Sequence, residues 1–303
     1  MKVAVTGPTG MIGSELVQLL LDRGDDVIAI VNPDSKRIAN LSESEHLSVV
    51  RCKMTDYKTI EGTESCDIFF HLAWMSSNVN ERDDVYTQLD NIRCSLDAVR
   101  LADSWGAKVF VGTGSQAEYG RVESTIDCNT PSNPESGYGI AKSSCERLCR
   151  LYCKKLKMKF FWTRIVSVFG KNDMDHTLIM YLIKTIMSGN RPILTKCEQI
   201  WDYMYVKDCA NALIHIAEKG DPEKIYPIAS GHSEMLRNYV ETIRDMIDPD
   251  VELGFGEKDY YPHQPMFLSV DISQLKKDTG FEPAYSFKDG VKEVIDYIRA
   301  HSE

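Results

Sequence analysis

Tyr138 and Lys142 stand four residues apart in Tyr138-Gly139-Ile140-Ala141-Lys142, at the start of a run with helical periodicity. That spacing stacks both side chains on one face of a helix. A phenol of ordinary pKa, near 10, is a poor acid–base group at neutral pH, and a neighbouring ammonium lowers it. Tyr138 can then exchange a proton with an alcohol or sugar oxygen while a hydride moves to or from carbon. Earlier in the chain the hydrophobic run Lys108-Val109-Phe110-Val111 gives way to Gly112-Thr113-Gly114-Ser115-Gln116-Ala117-Glu118-Tyr119-Gly120. This polar stretch offers a hydroxyl at Ser115, an amide at Gln116 and a carboxylate at Glu118. The carboxylate reads either as an acid–base group or as a loop-stabilising acceptor of backbone N–H groups.

A hydride needs a donor, and the N-terminus supplies a place for one. Thr6-Gly7-Pro8-Thr9-Gly10-Met11-Ile12-Gly13 follows a first strand and opens a first helix. Gly7 permits the tight turn, Gly10 the close approach of a pyrophosphate, and Gly13 close packing of the helix. The helix N-terminus, with Met11 and Ile12, turns free N–H groups to the phosphates. The second strand ends Ile30-Val31-Asn32 without the acidic residue that accepts from the ribose hydroxyls of NAD, and Ser35-Lys36-Arg37 follows. A neutral strand end and two cations suit the 2′-phosphate of NADP(H), so NADP(H) is favoured. NAD(H) is the alternative, since Asp34 could reach the ribose from a bent loop. The positive nicotinamide of the oxidised cofactor would lower Tyr138 further, and Lys142 would bond its ribose.

The elements that hold these residues alternate in type. Strands are expected at Lys2–Thr6, Val27–Val31, Ser48–Cys52, Ile68–Leu72, Lys108–Val111 and Lys159–Ile165, with helices near Met11–Arg23, Tyr86–Trp105 and Tyr138–Leu156. Gly24 is placed to stop the first helix. This is the pattern of an α/β, Rossmann-type doubly wound parallel sheet. Residues 1–170 are read as the NAD(P)-binding domain. Residues 171–303 are read as mostly a smaller substrate-binding lobe, with return segments to the first domain. Short strand candidates there are Arg191–Leu194 and Lys224–Ile228.

The chain of 303 residues has a net charge of -10, which argues against nucleic-acid binding. No apolar run approaches the about 20 residues that cross a bilayer, and no export signal is visible, so no membrane role is expected. The nine cysteines are odd in number and contain no CxxC pair, which reads as reduced thiols in a cytoplasm. Cys145, Cys149 and Cys153 share one helical stripe, read as packing and not as a metal site.

With these motifs in place, the chain resembles the extended short-chain dehydrogenase/reductases, the nucleotide-sugar epimerase/dehydratase/reductase group. The resemblance runs nearly end to end. It is carried by TGPTGMIG (6–13), HLAW (71–74), Asn91, GSQAEYG (114–120), YGIAK (138–142), RIVSVFG (164–170) and WDYMYVKD (201–208). Asp271 through Gly280-Phe281-Glu282-Pro283 is similar to the family's closing motif. The resemblance implies that Ser115 hydrogen-bonds the oxygen being reduced or oxidised, with Tyr138 and Lys142 completing the catalytic set. It also implies that Leu72, Ala73, Thr113 and Val166 line the cofactor cleft, and that Gln116 and Ser167 touch a nucleotide-sugar substrate.

Within the family, 4,6-dehydratases carry an acid just after the catalytic hydroxyl, where this chain has Gln116 and Ala117. The epimerase/reductases that make GDP-fucose use a Cys where Ala117 stands, plus a His near the position of His176. The expected reaction is therefore NADPH-dependent reduction of the C4 keto group of a nucleotide-linked 4-keto-6-deoxyhexose. The closest look is to reductases of the CDP-abequose and CDP-paratose synthase type. C4 epimerisation with tightly bound NAD is the alternative, and a non-catalytic NADP(H)-binding sensor a further one. Lys53, Trp201 and Ser167 depart from the family pattern. The resemblance also implies a homodimer formed through a four-helix bundle.

Overall fold

The computed structural model describes residues 1–60, 64–76, 81–261 and 264–301. The first half alternates as expected: β1 (Lys2–Thr6), α1 (Met11–Asp22), β2 (Asp26–Val31), β3 (Leu47–Arg51), β4 (Ile68–His71), α2 (Val85–Ser104), β5 (Val109–Ser115), α3 (Gly137–Leu156) and β6 (Lys159–Ile165). There follow β7 (Ser167–Phe169), α4 (Leu178–Met187), β8 (Ile200–Tyr205), α5 (Val206–Lys219), β9 (Ile225–Ile228), β10 (Ser233–Met235), α6 (Leu236–Ile247), α7 (Ser273–Thr279) and α8 (Phe287–Ala300).

Seven strands form one parallel sheet in the order β3-β2-β1-β4-β5-β6-β9. The central strands are buried along nearly their whole length because helices cover both faces. Leu16 and Leu20 of α1 share one core with Leu213 and Ile216 of α5. Ala98 and Leu101 of α2 share the other with Cys145, Cys149 and Cys153 of α3. The cysteine stripe is thus part of the packing between α3, α2 and the sheet. Gly24, at φ +79°, takes the left-handed conformation that ends α1. The strand order reverses between β1 and β4, and a crevice opens there beyond the carboxyl ends of the strands.

β9 comes from beyond residue 170, yet pairs with β6 from Trp162↔Ile225 to Ile165↔Ile228. A second, three-stranded sheet, β10-β8-β7, lies with α4, α6 and α8 around a third core. Arg191–Leu194 forms no strand, only a single bridge from Ile193 to Gly254. Among the described residues no helix is long and apolar enough to cross a membrane.

β5 departs most from expectation. It runs four residues past Val111, with Gly112↔Trp162 through Ser115↔Ile165 in register with β6. The two glycines that suggest a loop are needed by the strand. A Cβ on Gly112 would lie 2.5 Å from the Trp162 ring, and one on Gly114 would lie 2.1 Å from a Glu118 carboxylate oxygen. The missing side chains make room for Trp162 and Glu118, and Ser115 ends a strand instead of sitting in a loop.

Candidate active site

A cavity of about 860 Å³ opens at the β1/β4 reversal. Gly7, Gly10, Met11, Ile12 and Gly13 line it from the first turn, and Asn32, Ser35, Lys36 and Arg37 from the end of β2. Leu72 and Ala73 enter after β4, Thr113 and Ser115 from β5, Val166 after β6, and Tyr138 and Lys142 from α3. Every residue read as cofactor-binding is therefore on one wall or another of a single space.

That space suits a dinucleotide. Gly7 has φ +68°, and a Cβ on it would sit 2.9 Å from the Ala73 amide nitrogen. A Cβ on Gly13 would lie 2.1 Å from the Gly7 carbonyl oxygen, so the helix can start this close only without one. α1 has no side-chain cap and no acid in its first turn, which leaves its leading N–H groups for an anion. At the ribose end, the Asp34 carboxylate is held by Lys53 at 2.8 Å. Ser35 Oγ lies 3.1 Å from Thr9 Oγ1, while Lys36 and Arg37 are exposed.

Side chains from β1 and α2 fix the segment after β4. Thr6 Oγ1 accepts from the Leu72 and Ala73 amides, each at 3.2 Å, so its own hydrogen goes to His71 Nδ1 at 2.8 Å. This assigns the His71 proton to Nε2, which donates to Ser95 Oγ at 3.0 Å, and Ser95 donates to the Asn91 carbonyl at 2.8 Å. Burial pushes His71 down to about 3, so it stays neutral and structural. Asn91 accepts from the Met75 amide and donates to the Met75 carbonyl, at 2.8 and 2.9 Å. Gln88 accepts from Trp74 Nε1 at 3.0 Å. Sequence reasoning assigned no function to Trp74 or Gln88; a tryptophan three residues past the end of β4 was the one signal available.

Trp74 matters because its ring carries the Lys142 ammonium, 3.7 Å from the ring centroid. Lys142 Nζ also donates to the Thr113 carbonyl at 2.6 Å. Burial lowers Lys142 to about 8, against smaller opposing effects of Cys145 and Glu118. The Tyr138 ring is farther from the ammonium, at 5.7 Å. Helical spacing does put Tyr138 and Lys142 on one face, but the Thr113 carbonyl and the Trp74 ring draw the ammonium aside. The expected depression of the Tyr138 phenol is accordingly absent. Burial raises its pKa, and the Ser115 hydroxyl and then Arg82 oppose that rise. The phenol therefore keeps its proton at neutral pH.

Glu118 turns from the cavity into the protein and is fully buried. It accepts from the Ser115 amide at 2.9 Å, from Trp162 Nε1 at 3.1 Å and from Arg164 Nε at 3.0 Å. Burial pushes its carboxyl up, while the Arg164 guanidinium pulls it down. Its place is that of a buttress for the end of β5. The cavity is left with a hydroxyl and a phenol at Ser115 and Tyr138, and no carboxylate from this loop.

The profile of the NAD dependent epimerase/dehydratase family matches residues 3–229. The chain belongs to this family. It is an oxidoreductase-type enzyme of the extended short-chain dehydrogenase/reductase kind. It is 26% identical to an uncharacterized UDP-glucose epimerase of Bacillus subtilis, over 98% of each chain. It is also 26% identical to a dTDP-glucose 4,6-dehydratase of Escherichia coli, over 100% of this chain and 95% of that one. Among solved structures, the UDP-N-acetylglucosamine 4-epimerase of Methanobrevibacter ruminantium, in complex with UDP-N-acetylmuramic acid, superposes with a TM-score of 0.89 at 26% identity, over 99% and 98% of the two chains.

In this epimerase/dehydratase frame the expected substrate residues separate. Ser115 is in the cavity, whereas Gln116 sits in the single turn Gln116–Glu118 with its amide oxygen buried and unpartnered. Ser167 lines neither cavity and accepts from Trp201 Nε1 at 2.8 Å. The two departures at 167 and 201 are thus bonded to each other. Trp201 also lines a second cavity of about 560 Å³, together with His176, Tyr181, Gln199, Tyr203 and Tyr261.

Proposed function

We propose that this enzyme reduces the C4 keto group of a nucleotide-linked 4-keto-6-deoxyhexose with NADPH. Tyr138 gives its proton to the C4 oxygen, and Ser115 hydrogen-bonds that oxygen and holds it at the phenol. Lys142, fixed by Thr113 and Trp74, bonds the ribose of the cofactor. Bound NADPH supplies the hydride, so a carbonyl gains a hydride at carbon and a proton at oxygen and becomes an alcohol. Ser115 and Tyr138 line one cavity, which supports their acting on the same oxygen.

The observation that carries the choice of cofactor is the Asp34–Lys53 pair. Asp34 lines the same cavity, and its pairing with Lys53 leaves Lys36 and Arg37 as cations that suit a 2′-phosphate on the adenosine ribose. The residues we assign to NADP(H) are those lining the large cavity: Gly7, Gly10, Met11, Ile12, Gly13, Asn32, Ser35, Lys36, Arg37, Leu72, Ala73, Thr113, Tyr138, Lys142 and Val166. Dehydration is disfavoured because Gln116 and Ala117 follow Ser115 and Glu118 is committed to Arg164. The part after residue 170, apart from α5, β9 and α7, which pack with the main sheet, serves as the substrate-binding lobe, and the nine free thiols fit a cytoplasmic setting.

C4 epimerisation with retained NAD is the second reading, supported by the epimerase relatives. Loss of NADPH absorbance with a panel of CDP-, dTDP-, GDP- and UDP-4-keto-6-deoxyhexoses separates the two. One member of the panel should consume NADPH in preference to NADH. Protein purified with bound NAD that interconverts C4 epimers with no added cofactor would replace the reductase reading.

A further inference from the structure

The turn that enters α2 carries Arg82, Asp83 and Asp84 in succession, and both carboxylates are tied to helix N-termini. Asp84 caps α2, accepting from the Tyr86 amide at 3.2 Å and the Thr87 hydroxyl at 2.7 Å. Asp83 reaches across to α3 and accepts from the Gly137 amide at 2.6 Å. Gly137 precedes Tyr138, and a Cβ on it would lie 3.2 Å from the Asp83 Cα and 3.3 Å from the Arg82 carbonyl oxygen. The turn is therefore packed on the start of the helix that presents the reacting phenol.

This packing sets the Arg82 guanidinium 5.2 Å from the centroid of the Tyr138 ring. Its Nε is buried and has no hydrogen-bond partner among the described residues. Among the described residues Arg82 makes no ion pair, because the two acids beside it are occupied with the helix N-termini. A ring face offsets part of the charge of a guanidinium, but it satisfies none of its in-plane N–H donors well. A half-buried, unpaired guanidinium beside the Tyr138 ring is costly until an anion arrives. Its charge opposes the rise of the Tyr138 phenol, but that does not satisfy its N–H donors.

We propose that Arg82 is a substrate-binding residue that receives an acidic oxygen group of the substrate and thereby holds the reacting carbon against Tyr138. The group is either the diphosphate of the nucleotide sugar or a carboxylate on its sugar ring. The planar fork of the guanidinium fits both bidentately. The proposal rests on the reading of Tyr138 as the proton donor, and it deepens the description of what is bound beside it.

The test is calorimetric titration of NADPH-loaded wild type, R82K and R82Q. The ligands are CDP, dTDP, GDP and UDP, then the glucose and glucuronate esters of the tightest-binding diphosphate and its parent nucleoside. R82Q is expected to weaken acidic ligands about 10- to 100-fold, the range of one charge-assisted contact, and to leave the nucleoside unchanged. R82K should recover part of that loss. Equal weakening of the diphosphate and both esters identifies the diphosphate as the group held. Weakening confined to the glucuronate ester identifies a ring carboxylate, and would replace the 6-deoxy part of the proposed substrate by a uronate.

Wild-type affinity in R82Q for every ligand, an equal loss for the nucleoside, or no diphosphate binding by wild type would each overturn the proposal. Arg82-dependent binding without turnover of any 4-keto sugar would count against the proposed reaction alone.

Discussion

Lys142 holds its ammonium against the Trp74 ring and the Thr113 carbonyl, out of water, and burial brings it down to about 8. Below that pH the charged form is present; above it the proton is lost. NADPH affinity is therefore expected to fall as pH rises through about 8, by about tenfold between pH 7 and 9.5 if one charge-assisted bond is lost. Lys142→Met should bind NADPH weakly and with no such slope, as fluorescence titration would show. A flat wild-type profile would remove Lys142 from the cofactor contact. The residue itself was legible, because spacing of four on a helix after a dinucleotide turn is a local signal. Its partners were not, since Thr113 and Trp74 come from β5 and the segment after β4.

At the scale of elements, the end of β5 decides which chemistry the loop can offer. In sequence Glu118 reads as either an acid–base group or a support. The structure assigns it to support, because Gly114 leaves room for its carboxylate behind the strand, beside Trp162 and Arg164. The side chains of Arg164 and Glu118 are only 6% and 0% exposed, so removing the acid strands a buried guanidinium. Glu118→Ala is expected to cost about 3–5 kcal/mol of stability, read by urea unfolding. A loss under about 1 kcal/mol would contradict the buttress. The strands of the main sheet were placed within a few residues from hydrophobic runs, whereas β7, β8 and β10 of the second sheet were not expected. The extension of β5 through two glycines was not, since glycine usually ends a strand and the Trp162 ring that requires it lies on β6.

For the whole molecule, α2 and α3 are two-sided. Their inner faces bury Asn91, Cys94, Cys145 and Cys149, while Val85, Tyr86 and Leu89 on α2 and Ile140, Leu148 and Leu151 on α3 face outward. Tyr86 at 78% and Leu151 at 68% exposure make this an apolar face that a second copy would cover as a four-helix bundle. Sedimentation should show a dimer, and Leu151→Glu a monomer; a monomeric wild type would remove the pairing. The doubly wound order was readable from the alternation of elements. The return of β9 to the main sheet was expected only in outline, because which strand it joins depends on long-range pairing with β6.

The reductase reading is tested most directly by the fate of the hydride. Protein, a 4-keto-6-deoxyhexose nucleotide and NADPH deuterated at the nicotinamide C4 are mixed, and the sugar product is examined by mass and NMR. The expected product carries one deuterium at C4 for each NADPH consumed, and Tyr138→Phe forms none while binding NADPH within a few-fold of wild type. A C4-altered sugar formed without deuterium and without loss of NADPH would contradict the account.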